Sequence, residues 1–213
     1  MSVALNGTSL SKIKANSLNL AGTFGFTGTV SGLADETPLV LISTFTSDGS
    51  DATASFTSGI DSTYKEYLFI FNNLHPSAGT NLQFNGSIDT GSNYNVTKTS
   101  SFFQTRHDED DSDTQLSYET GKDLAQGTGF QQLVPYVGTG NDESVSGFLK
   151  LYNPSSTTFV KHFIAKTNGY GEAGTYGGHA AGYFNTTSAI DAIQFKMASG
   201  EIQGGTIDLF GVV

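Results

Sequence analysis

Apolar and polar residues alternate along most of this chain, most sharply near its C-terminal end. There Ile193, Phe195 and Met197 alternate with Ala192, Gln194 and Lys196, and beyond a Ser199-Gly200 turn Ile207 and Leu209 alternate with Asp208 and Phe210. A period of two sends one face of a strand to a core and the other to water. The two runs predict a β-hairpin, with Gly200, Gly204 and Gly205 supplying the positive φ or the bulge that its turn needs.

The same reading upstream predicts strands at 38–46, at 52–57 after an Asp48-Gly49 turn, and at 64–74. This last run, YKEYLFIFNNL, is the most apolar in the chain, and its Tyr, Phe and Ile suit a pleated surface, so it reads as a central strand. Further strands follow at 81–88, 100–106, 114–118, 145–152, 159–166 and 179–184. Residues 124–136, rich in Gln and Gly, read as a long loop, and the Gly-rich 169–178 as a flexible one. About ten short antiparallel strands close most naturally as a two-sheet sandwich, near the eight of a jelly roll. The fold class expected is therefore all-β, a jelly-roll-like antiparallel β-sandwich.

Residues 1–37 differ from the sandwich at 38–213. From Leu18, apolar or small residues fall on every second position, and Leu18, Leu20, Phe24, Phe26 and Val30 share one face. Such a strand either packs as the first strand of its own sandwich or pairs with another chain. The Gly32-to-Pro38 stretch, with Asp35 and Glu36, reads as a linker and favours an extended N-terminal arm that docks on a neighbour.

Composition narrows the partners. A chain of 213 residues can bury one good core without staples, and with no Cys it has neither a disulfide framework nor a thiolate metal site. A net charge of -10 argues against nucleic acid and anionic membrane as partners, since both demand clustered Lys and Arg. Charged residues make up only 14%, and with 26 Gly the chain suits many turns. The N-terminus lacks a basic start followed by an apolar core, and no run approaches the roughly 18 apolar residues of a membrane span.

Candidate chemistry is sparse. The run HDEDDSDTQLSYE from His107 puts Asp108, Asp110, Ser112 and Glu119 at positions one, three, five and twelve of a calcium loop, but Asp113 stands where that loop needs Gly. The run reads as a solvated acidic loop, with a calcium site on Asp108, Asp110, Asp111 and Asp113 as the competing reading. His75, His107, His162 and His179 show no zinc spacing, and there is no Gly-x-Ser-x-Gly elbow. No catalytic residue and no required cofactor is expected. Tyr170 and Tyr176, near His179 on a Gly-rich stretch, are candidates for glycan contact, set against loop tyrosines that only anchor a turn.

Three stretches carry a resemblance: AGYFNTTSAIDAIQFKMASGEI through GTIDLFGV at 181–212, GIDSTYKEYLFIFNNLHP at 59–76, and NPSSTTFVKHF at 153–163. Together they resemble a family of small β-sandwich virion proteins of marine tailed phages, over residues 38–213. The resemblance implies a component of a phage particle, assembled in the host cytoplasm, and transfers no catalytic motif. It further implies a homo-oligomer, a trimer first, because phage appendages commonly use threefold symmetry. The function expected is a non-enzymatic structural protein on the particle surface, a tail appendage or fibre component docked through its arm on other virion proteins. A capsid decoration protein is the alternative, and a glycan-binding or glycan-cleaving sandwich that meets host surface glycan is the alternative of another class.

Overall fold

The strand Glu66–Pro76 sends Tyr67, Phe69 and Phe71 to one side, where solvent does not reach them, and Glu66, Leu68 and Ile70 to the other, where they stay half-exposed. On the buried side Phe69 and Phe71 meet Phe195 edge to face, with ring centroids 5.2 and 5.1 Å apart. Phe84 meets Phe163 at 5.0 Å in the same manner. Edge-to-face pairs place the positive rim of one ring on the negative face of the next, which adds to the gain from burial alone.

The computed structural model describes residues 38–213. The arm residues Leu18, Leu20, Phe24, Phe26 and Val30 lie outside the described residues. Twelve strands run through the described part: β1 (Leu39–Thr46), β2 (Ala54–Phe56), β3 (Glu66–Pro76), β4 (Leu82–Ser87), β5 (Lys98–Asp108), β6 (Thr114–Tyr118), β7 (Gln131–Gln132), β8 (Val145–Tyr152), β9 (Lys161–Gly171), β10 (Gly174–Phe184), β11 (Ala192–Met197) and β12 (Ile202–Val212). Eight form a large sheet in the order β1-β12-β3-β8-β9-β10-β5-β6, and four form a small one in the order β2-β11-β4-β7.

The pairing explains the architecture. β1 pairs with β12, β2 with β11, β3 with β8 and β4 with β7, all antiparallel. Among these eight strands the first meets the last, the second meets the second-last, and so on inward. That is a ribbon rolled on itself, the connectivity of a jelly roll. The hairpins β5–β6 and β9–β10 are additions that extend the large sheet beyond β8. The expected all-β, jelly-roll-like sandwich is what the chain forms.

Two local expectations are corrected. β11 and β12 are not a hairpin: β11 belongs to the small sheet and β12 to the large one, and the chain crosses between sheets through Gly200 at φ 70°. Ile193, Phe195 and Met197 point inward from one sheet, Ile207 and Leu209 from the other. Alternation reports which face of a strand is buried but not which strand it pairs with, so a hairpin and a crossing look alike in sequence.

The second correction concerns residues 169–178, which are the facing ends of β9 and β10, turned at Glu172 and Ala173 with φ 50° and 56°. Their glycines serve close approach. A Cβ on Gly178 would run into the Leu133 carbonyl oxygen, and one on Gly169 would stand 2.6 Å from the Tyr136 carbonyl oxygen. Leu133, Val134 and Val137, all fully buried, therefore lie directly on the inner face of the extension that the small sheet does not reach.

The inner face also holds Lys98, fully buried on β5. Its Nζ donates to Asn85 Oδ1 at 2.5 Å and to the Val96 carbonyl at 2.9 Å, and it stands 5.4 Å from the centre of the Phe184 ring. These partners are neutral, so burial pushes its pKa down to about 7 from the ordinary 10.5.

Two outcomes are expected. Gly178→Ala should cost about 1–3 kcal/mol in urea unfolding, whereas Gly129→Ala, where a Cβ meets nothing within 4 Å, should change stability by about 0.5 kcal/mol or less. For Lys98, the unfolded chain keeps between pH about 7 and 10.5 a proton that the folded chain has shed, so stability rises with pH across that window. The stability of wild type relative to Lys98→Met should climb there by up to about 1.4 kcal/mol per pH unit, and a flat difference would contradict the buried, uncompensated lysine.

Candidate functional site

Because the small sheet packs on one face of the large sheet, the other face meets no described element. On an antiparallel sheet such a face is normally polar. Here it is not. Along one row of directly opposed residues the outward positions are Tyr118, Phe103, His179 and Lys166, and the row continues through Phe148, Ile70, Asp208 and Thr44. The row beside it runs Ser101, Ala181, Ile164 and Lys150, then Leu68, Phe210 and Leu41. Leu41 is 56% exposed, Ile164 46%, Phe103 41% and, one position further along β6, Leu116 74%. These side chains gain little from their own fold, so folding does not account for their identity.

The band has relief. Beside Phe148 on one side is a hollow of about 250 Å³ lined by Ser101, Phe103, Ile164, Lys166, His179 and Ala181. On the other side a hollow of about 370 Å³ is lined by Leu68, Ile70, Asn72 and Ser146. Small residues set between large ones produce such sockets, and their apolar lining suits a side chain better than a charged group.

Charge on this face is divided by strand. Asp208, on β12, accepts from Thr44 Oγ1 at 2.6 Å and from Asn72 Nδ2 at 3.3 Å, and Glu66, on β3, pairs with Lys150 at 2.6 Å. On the other side, Lys166 of β9 stands opposite His179 of β10. His179 stacks flat on Phe103, with centroids 4.5 Å apart and planes 5° from parallel. Burial, then the neighbouring Lys166 ammonium, hold its pKa below the ordinary 6.5, so the ring lies on Phe103 as a neutral imidazole.

The glycan candidates do not share one surface. Tyr170 and His179 point outward, whereas Tyr176, three residues from His179, points inward, where it is 7% exposed. It packs on Tyr136 at 5.6 Å, with the Arg106 guanidinium 5.3 Å from its ring centre. An odd spacing on a strand puts two residues on opposite faces. Phe103, Phe148, Ile164 and Leu116 were missed as candidates. For Phe148, Phe103 and Ile164 the available signal was apolar residues at both parities in GFLKLY, SSFFQ and KHFIAK, the mark of a strand covered on both faces, whereas Leu116 carried none.

The acidic loop is likewise distributed. Asp108 is gripped by Arg106 through Nε at 2.8 Å and Nη2 at 2.9 Å, and Asp113 lies 3.5 Å from Nη1 of the same guanidinium. Asp111 meets His107 Nε2 at 3.0 Å, and Asp110 accepts from the Ser112 amide at 3.0 Å. Asp108 and Asp113 share Arg106, while Asp110 and Asp111 answer to Ser112 and His107. Among the described residues no three His, Cys, Asp or Glu come together as a metal site, so the structure does not assemble the calcium candidates.

No family model matches the chain, and neither a curated protein nor a solved structure matches it.

By nuclear magnetic resonance His179 is expected to titrate with a midpoint below 6.5. Lys166→Met should move that midpoint upward by removing the adjacent positive charge. A midpoint that ignores Lys166 would mean that the two side chains do not share the face as described.

Proposed function

We propose that this protein is a non-enzymatic structural component of a tailed-phage particle surface, a tail appendage protein that holds to its neighbours through the outer face of its large sheet. The observation that carries this reading is the apolar band across all eight strands of that face. Eight strands at about 4.8 Å spacing make it roughly 34 Å wide, more than the scattered apolar side chains of an ordinary free surface. Each apolar side chain taken fully out of water contributes about 1.5–3 kcal/mol, so a few of them offset the cost of association, on the order of 4–15 kcal/mol. The particle assignment draws on the resemblance of residues 38–213 to marine phage virion proteins. The arm, through Leu18, Leu20, Phe24, Phe26 and Val30, would be a second anchor on the same neighbours.

Gold-labelled antibody against residues 38–213, applied to intact particles of the phage that encodes the chain, tests this reading. Label is expected on the tail. Label spread over the head would make the protein a capsid decoration instead, and particles without the protein would end the virion reading. Particles assembled with Ile164→Lys protein should carry label reduced on the order of tenfold, because a buried lysine at the centre of the band costs at least that factor in affinity.

A further inference from the structure

The outer face is close to self-complementary, and we propose that it is covered by a second copy of this chain. This rests on the reading of that face as the docking surface, and it names the occupant. Two quantities argue for it. A twofold between β3 and β8 opposes the six strands β1, β12, β3, β8, β9 and β10 of each copy; at about 4.8 Å between strands and about 25 Å of strand length shared by those six, this part of the face measures roughly 600 Å². That meets the lower end, about 600 Å² per partner, of the standard stable interface.

The second argument is the arrangement of charge along the central row. Asp208 on β12, Ile70 on β3, Phe148 on β8 and Lys166 on β9 are consecutive directly opposed positions. The row is therefore symmetric in character about the line between β3 and β8: apolar next to apolar at the centre, then carboxylate on one side and ammonium on the other. Two copies face to face can meet with like halves or with opposite halves opposed. Like halves set Lys166 on Lys166 and Asp208 on Asp208. A twofold axis parallel to the strands between β3 and β8 does the reverse. It sets Ile70 against Phe148 of the second copy and Asp208 against its Lys166, twice in one isologous contact.

Among the described residues Lys166 has no carboxylate within ion-pair distance, and Asp208 has only neutral hydrogen-bond donors, Thr44 and Asn72. The contact gives each its opposite charge. The hollows on both sides of Phe148 are the sockets that ridges from the second copy fill. This contact makes a pair, and the threefold symmetry expected from the resemblance would then lie elsewhere or be absent.

Sedimentation velocity of the full 213-residue chain at micromolar concentration tests the proposal. Wild type is expected to sediment as a pair. Asp208→Lys and Lys166→Asp should each weaken self-association on the order of tenfold or more, because each sets two like pairs against each other. An equimolar mixture of these two variants should pair again, since only the mixed pair restores both attractions. Circular dichroism establishes that each variant is folded. A monomeric wild type, whether because its own arm or another protein covers the face, overturns the proposal. So does a wild-type assembly that neither charge reversal weakens, or two weakened variants that fail to rescue one another. Failure of the docking reading itself is seen separately: Ile164→Lys protein that still labels particles fully would remove the outer face from assembly altogether, whereas a monomeric wild type whose Ile164→Lys variant is lost from particles removes only the second copy as occupant.

Discussion

The structure depends on one contact between sheets: Phe195 of the small sheet set among Phe56, Phe69, Phe71 and Phe84 at centroid distances from 5.1 to 6.3 Å. These rings come from β2, β3 and β4, which follow one another in sequence, and from β11, which lies far down the chain. The chain must roll its ribbon before the rings can meet, and once they meet the inner face of β3 is committed. Everything else follows from which faces that cluster leaves uncovered.

Four strands cannot cover eight. The inner face of the extension is instead closed by the segment through Leu133, Val134 and Val137, which has almost no regular structure of its own. Polar side chains hold it in place. Gln131 donates to the Lys122 carbonyl at 3.0 Å and accepts from Ser100 Oγ at 2.5 Å, and Asn85 donates to the Thr128 carbonyl at 3.0 Å. Buried amides satisfied in this way substitute for a strand ladder, which is how an irregular segment can lie inside a core. Lys98 and Lys161 serve the same end of the sandwich, flanking Phe184 in register and donating to backbone or amide oxygens.

The outer face has no such closure, and its composition makes sense only through what lies beyond the fold. Leu41 and Leu116 stand at its two edges, on β1 and β6, and between them Phe210, Leu68, Ile70, Phe148, Ile164 and Phe103 recur among polar positions such as Asp208, Lys150 and Lys166. A sheet that served only its own core would have polar residues there, because they cost nothing in water and guard against aggregation. Retaining apolar side chains at these positions, in a chain with a net charge of -10, separates a sticky face from an acidic remainder. Such a division suits ordered assembly, since the charge keeps every other face apart.

What the sequence by itself determined is the set of strands and the buried face of most of them. Ile193 and Phe195, and Ile207 and Leu209, could be assigned inward by parity alone, because a strand's side-chain period is a local property of the backbone, whereas Tyr67, Phe69 and Phe71 could not, since Leu68 and Ile70 put apolar residues at the other parity as well. Pairing was not determined. β11 and β12 read as partners because they are adjacent in sequence, yet they lie in different sheets, and only the position of the aromatic cluster decided that. The glycines at 169–178 read as flexibility because sequence cannot show the backbone of Leu133 and Tyr136 pressed against them. Tyr176 and His179 read as neighbours on a loop, and the extended backbone of β10 turned them to opposite faces. The candidate site was the least legible part, since a face spanning eight strands is assembled from residues between Leu41 and Phe210 whose only common property is the row that the tertiary structure gives them.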